Sequence, residues 1–239
     1  MGGTGKSINQ NPFVSWDFLF FIFMTEDIIS TTIGFVKQQL EGAEGGHDWF
    51  HIDRVYKNAM LIAQGEKCDV LVVQLAALLH DIADSKFHQG DESVGPAVAK
   101  KFLNDNGVAS EVISHVVNII ENISFKGGNF DKSFHSIELD IVQDADRIDA
   151  IGAIGIARAF NYGGFKNRLL YDPDIHPELG MNKKKYQNST SPTINHFYEK
   201  LLLLKDRMNT VTGKKIGEER HRFMEIYLLQ FYDEWNGVK

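Results

Sequence analysis

Leu75, Ala76, Ala77, Leu78 and Leu79 run without a break into His80 and Asp81. An apolar run with no polar face reads as a helix buried all round. Such a helix sits in the middle of a fold, and its neighbours pack around it. An imidazole and a carboxylate at its end then need a partner, because unpaired burial costs on the order of several kcal/mol. A divalent cation satisfies both at once. Two more polar residues stand in apolar sequence in the same way. His51 falls in the first turn after a plausible N-cap, Asp48, and lies four residues before Val55 on the inward face. Asp146 sits in Gln143-Asp144-Ala145-Asp146-Arg147-Ile148-Asp149, just ahead of the small apolar run 150–157. Asp149 follows on the same face, three residues on.

Two histidines and two aspartates make a mixed nitrogen and oxygen donor set without thiolate. Such donors suit one divalent ion of Mn, Fe, Co, Ni, Zn or Mg. Four protein ligands leave positions on a six-coordinate ion for water and a substrate oxygen, as a catalytic metal requires. The alternative is a closed site that only ties helices together. Structural zinc sites favour cysteine, and Cys68 is the only one. His51 taken alone also fits a hydrogen-bonded core histidine.

The rest of the chain reads as helices, with no strand series and no internal repeat. Hydrophobic spacing predicts them over 25–40, 48–65, 69–84, 93–103, 110–123, 137–162, 193–209 and 217–236. The sixth is long enough to be two helices or one bent one. Thr25-Glu26-Asp27 offers a cap for the first. Residues 163–192 carry Gly163-Gly164, Pro173, Pro177, Gly180, three successive lysines and Pro192. That is too polar and too broken for a core element. Long loops in a compact domain are usually functional or disordered, so this insertion is a candidate to close over a site. The expected fold is one all-α domain over 24–239.

Residues 1–23 read as an upstream extension outside that fold, with Met24 as an internal start. The opening Met-Gly-Gly-Thr-Gly-Lys-Ser hints at a phosphate loop, but the glycine spacing is too short and no strand precedes it. The segment 13–24 is apolar, yet Asp17 interrupts it and it is too short to span a bilayer. The formal charge is −7 and no long basic block occurs, which argues against nucleic acid as a partner. A single cysteine excludes an intrachain disulfide and fits a reducing, cytoplasmic compartment. No feature reads as an oligomer interface.

The set His51, His80-Asp81, Asp146 resembles the HD-domain superfamily of metal-dependent phosphohydrolases. Local context narrows the likeness to small bacterial HD hydrolases. The matching stretches are Gly46-His47-Asp48-Trp49-Phe50-His51-Ile52-Asp53-Arg54-Val55, Leu78-Leu79-His80-Asp81-Ile82, Asp144-Ala145-Asp146-Arg147-Ile148-Asp149 and Asn195-His196-Phe197-Tyr198-Glu199-Lys200-Leu201. The resemblance implies an all-α HD helical bundle and hydrolysis of phosphate esters or anhydrides, most closely of the nucleotide pyrophosphohydrolase type. It implies His51, His80, Asp81 and Asp146 as metal ligands, with Mn or Mg favoured for activity. Asp84 would stand one turn beyond Asp81. Related guanosine-polyphosphate hydrolases place a Glu-Asp pair there, whereas this chain has Asp84-Ser85. Asp84 or Asp149 could assist proton transfer, and Asp84 could equally be a solvated helix-end acid. Branches with two metals add histidines. Here Asn122 stands at such a position and His115 is one turn early, so one metal is expected.

A small phosphorylated substrate, a nucleotide by this resemblance, needs cations around it. Arg54, one turn after His51, is a preferred candidate with Lys86 and Lys126, although each alone would fit a surface ion pair. His47 could orient a ligand. Two other functions remain open: a metal-bound nucleotide sensor without turnover, and a cyclic-nucleotide phosphodiesterase, which usually recruits two metals.

Overall fold

A computed structural model describes residues 16–42, 48–82, 91, 93–123, 134–182, 185 and 188–239, with side chains from Asp27 onward. Among them the regular elements are helices: α1 (Trp16–Gln39), α2 (Trp49–Ala63), α3 (Val70–Leu79), α4 (Val94–Asp105), α5 (Ser110–Asn122), α6 (Ile137–Asp149), α7 (Gly152–Phe165), α8 (Thr193–Glu199) and α9 (Val211–Trp235). None of the described helices is long and apolar enough to cross a membrane.

α3 is the axis of the bundle, as its composition demands. Leu75 to Leu79 are all fully buried, and α3 packs against α1, α2, α5 and α6. Asp69 caps it through the Leu71 and Val72 amides. The Asp69 amide in turn donates to the buried Glu138 carboxylate at 2.8 Å. That bond ties the start of α3 to the start of α6. His80 and Asp149 each stand eleven residues beyond it, 80 against 69 and 149 against 138. At 1.5 Å per residue both lie roughly 16 Å along, so the two helices deliver them to the same pole. α2 runs beside both, and its first turn carries His51.

Four boundaries differ from the sequence expectation. α1 passes through Thr25 instead of being capped there, since the helix already begins at Trp16. α3 stops at Leu79, with His80 as its C-cap. The stretch 137–162, by contrast, takes one of its two expected forms, two helices broken at Ala150-Ile151, and Gly152 takes φ +74° with the Arg220 side chain against it. Both the left-handed backbone and the close approach call for glycine. The helix expected over 193–209 ends at Glu199 and continues as two 3-10 turns, Leu201–Leu203 and Lys205–Arg207. α9 begins early, at Val211, because Thr210 caps it through the Gly213 amide at 2.8 Å.

The insertion is tied down where it is described. The Thr193 and Ile194 amides donate to the Leu169 and Leu170 carbonyls, Asn195 Nδ2 to Ile175, and Arg168 to Ser189. The first three bonds fasten it to α8 and the last joins it to itself, which does not favour a closing lid.

Candidate metal centre

α2 brings His51 to the pole because Asp48 caps the helix, its carboxylate accepting the His51 amide at 3.0 Å. The His51 ring is buried between two carboxylates. Its Nδ1 lies 2.8 Å from Asp149 Oδ2, and its Nε2 lies 3.6 Å from Asp146 Oδ1. The Asp149 carboxylate is 1% exposed, whereas the Asp146 side chain is 45% exposed. Asp149 therefore sits behind the ring and Asp146 at the mouth.

A carboxylate behind Nδ1 holds the proton there and leaves the lone pair on Nε2. His80 is set the same way by a different device. Its Nδ1 lies 2.9 Å from the Ala77 carbonyl, which can only accept, so Nδ1 carries the proton and Nε2 the lone pair. The two rings meet edge to face, 5.5 Å between centroids. One ligand atom from each of His51, His80 and Asp81 lies within 4.8 Å of the others. Asp146 is not one of that group of three, but its Oδ1 stands 3.6 Å from His51 Nε2. Two imidazole nitrogens and a carboxylate at such spacing fit a divalent ion, with a second carboxylate at the side.

Asp149 is the hub of this pole. Beside His51, it accepts from Arg54 Nε at 2.6 Å and Nη2 at 3.1 Å, and from Arg158. Burial alone would raise its pKa. The hydrogen bonds from His51 and Arg54 and the Arg158 charge win, and hold the carboxyl well below the usual carboxylate range. The same bond raises the Arg54 pKa. Arg220 stands behind, donating to the Ile148 carbonyl at 2.7 Å and Asn58 Oδ1 at 3.0 Å. Arg54 is thus an ion-pair partner of Asp149 as well as a neighbour of the site.

Asp84, Lys86, Lys126 and His47 lie outside the described residues. His115 is turned to the other pole, with Nε2 2.9 Å from Ser136 Oγ and 3.4 Å from Glu138. Asn122 donates to the Asn118 carbonyl within its own helix. The sequence reading missed Arg158 as a partner of Asp149. Only the break before Gly152 folds α7 back to bring it there, and no local pattern announces that.

A family model described as HD domain matches residues 49–151. Bacillus subtilis YpgQ is 39% identical over 206 residues, spanning 85% of this chain and 91% of that protein. This chain belongs to the HD superfamily. A crystal structure of an HD-superfamily hydrolase from Bacillus thuringiensis is 44% identical, covers 89% of this HD protein and 98% of its own chain, and superposes with TM-score 0.72. A crystal structure of YpgQ in complex with ADP covers 88% of this chain and 96% of its own, at 35% identity and TM-score 0.70. The HD protein described here is accordingly a metal-dependent hydrolase of the phosphohydrolase class. The all-α expectation and the likeness to small bacterial HD hydrolases agree with these relatives.

Proposed function

We propose that this chain hydrolyses a phosphoanhydride or phosphoester of a small nucleotide, in the manner of a nucleotide pyrophosphohydrolase. One observation carries the reading: His51, His80 and Asp81 each offer a ligand atom within 4.8 Å of the others, with Asp146 Oδ1 beside His51 Nε2, a donor set with coordination to spare. The ADP complex of YpgQ supports a nucleotide as the phosphorylated partner. His51, His80, Asp81 and Asp146 would hold one divalent ion, with Mn or Mg favoured. When bound, such an ion acidifies water and offsets charge on a phosphoryl group.

The chain's own residues do the rest. Asp149 fixes the tautomer and orientation of His51. Its depressed pKa makes it a poor proton acceptor, so its role is positioning, and proton transfer falls to Asp84. Arg54 and Arg158 flank Asp149 with side chains about a third exposed, 31% and 30%. A guanidinium has five N–H donors in a fixed fork, more than one carboxylate takes up. Both can therefore span Asp149 and a phosphate oxygen. Lys86 and Lys126 are proposed as further phosphate cations. Positioning and charge stabilisation carry most of phosphoryl transfer, and this pole concentrates both.

A panel of nucleotides against Mn²⁺, Mg²⁺, Co²⁺ and Ni²⁺, read as released pyrophosphate and phosphate, tests the proposal. Pyrophosphate and a nucleoside monophosphate are expected, with loss of turnover in Asp81→Ala. No product with any of the four metals would leave a nucleotide sensor. Cleavage of cyclic nucleotides alone, with two ions bound per chain, would make it a phosphodiesterase.

A further inference from the structure

Arg158, Tyr162 and Phe165 share one side of α7, four and three residues apart. Arg158 reaches the Asp149 carboxylate that holds His51. That side of the helix therefore begins at the metal pole and leads away from it. Long side chains on a helix lean toward its N-terminus, so Tyr162 leans over the turn that carries Arg158. Both rings are open to solvent, Tyr162 at 48% and Phe165 at 66%.

These rings also carry cations. Lys166 Nζ lies 5.7 Å from the Tyr162 centroid and 5.1 Å from that of Phe165. The Arg168 guanidinium carbon lies 5.5 Å from the Tyr162 centroid, and its Nη2 is anchored on the Ser189 carbonyl at 2.6 Å. Arg168 and Lys200 crowd His196 as well. Burial first, and then these two charges, push its imidazole down to about 4. Lys166, Arg168 and Lys200 thus gather positive charge in one place on a chain of formal charge −7.

A solvent-exposed aromatic pair with cations over its faces, continuous with a pole that hydrolyses phosphates, suits a molecule that is planar and aromatic at one end and anionic at the other. We infer that Tyr162 and Phe165 are the platform on which the base of the nucleotide stacks, taking a ring face from Lys166 or Arg168, whose charges then stand beside the anionic end. The inference rests on the nucleotide reading above and gives that site its base subsite. A platform made of ring faces reads no donor pattern, so it accepts every base and favours the larger purines.

The test titrates ADP and, separately, inorganic pyrophosphate into the Mn²⁺-loaded protein by calorimetry. Wild type is compared with Tyr162→Ala, Tyr162→Phe and Phe165→Ala. Stacking of one base on one ring is worth roughly five- to a hundredfold in affinity. Tyr162→Ala is expected to lose about tenfold or more for ADP and to keep its affinity for pyrophosphate. Tyr162→Phe retains the ring and binds ADP as wild type does. Phe165→Ala shows a loss of the same kind, and it carries the test if Tyr162→Ala does not fold. Equal losses for ADP and pyrophosphate, or no loss for either, would overturn the platform. Wild-type protein that binds pyrophosphate but not ADP would instead sink the nucleotide reading itself, whatever the variants do.

Discussion

Asp144 and Asp149 lie five residues apart on α6, and both are buried, at 0% and 1% exposure. Their surroundings differ in kind. Asp144 takes backbone amides from Asn209 and Thr210, each at 2.8 Å, the Thr210 hydroxyl at 2.8 Å and Arg147 Nη1 at 3.3 Å. Burial wins there and pushes its carboxyl up, against the pull of those hydrogen bonds. Asp149 takes His51, Arg54 and Arg158, and is pushed down. Backbone amides and a hydroxyl, with one guanidinium at longer range, serve Asp144, whereas two guanidiniums and an imidazole serve Asp149. Asp144 closes the bend before α9 and fastens that helix to the bundle. Asp149 orients the His51 ring and two guanidiniums at the pole. Equal burial on one helix thus marks a structural clamp in one case and a site organiser in the other.

The largest effect should come from Asp149→Asn. It keeps the shape and an acceptor for His51 but removes the charge that fixes the ring. Loss of such a partner typically costs 10–100-fold in metal affinity or activity. Turnover and Mn²⁺ affinity, the latter by calorimetry, are both expected to fall by about that much. The cost in stability should stay below roughly 2 kcal/mol, because Arg54 and Arg158 are partly exposed and can turn to water. A variant that keeps wild-type metal affinity would erase the distinction between the two carboxylates.

Asp144→Ala should do the reverse. Several buried donors would lose their acceptor, at about 1–3 kcal/mol for each one left unsatisfied, so a loss of about 3 kcal/mol is expected in chemical denaturation. Adding Mn²⁺ should raise the melting temperature of this variant as much as it raises that of wild type. In Asp149→Asn the same addition should raise it less. A metal increment that vanished in Asp144→Ala would mean that the clamp also shapes the pole.

How much of this was legible beforehand depends on the reach of each contact. His51, His80, Asp81 and Asp146 stood out because a polar residue in an apolar stretch is a local signal; the structure groups the first three and sets Asp146 beside His51. Asp144 carried a signal of the same type that went unused. It lies three residues after Ile141 and four before Ile148, on the buried face of α6. The donors that meet it sit 65 and 66 positions away, and no periodicity reports them. The stretch 193–209 misled for a related reason. Leu201 to Leu204 look helical, but Asp144 captures the Asn209 and Thr210 amides and forces the chain to turn before α9. Arg158 reaches Asp149 because the chain breaks at Gly152 after α6; a break or bend was expected over 137–162, but several glycines nearby left its position open.

The smallest expected effect is also the sharpest probe of the clamp. A Cβ built on Gly213 would collide with Asp144 Oδ2 and crowd Thr210 Oγ1. Gly213 lies in the first turn of α9 and its φ is not positive, so alanine is welcome to the backbone there. The penalty for Gly213→Ala therefore comes from overpacking against the carboxylate and the Thr210 hydroxyl, about 1–2 kcal/mol. The carboxylate's share should disappear once the carboxylate is gone, leaving the hydroxyl's. The double variant Asp144→Ala with Gly213→Ala is then expected to lose less stability than the two single variants added together. Neighbours that share a contact couple by about 0.5–3 kcal/mol, so the cycle has a signal large enough to measure. Additive losses would mean that the glycine serves the turn at Thr210 independently, and that Asp144 is one of two separate fastenings of α9.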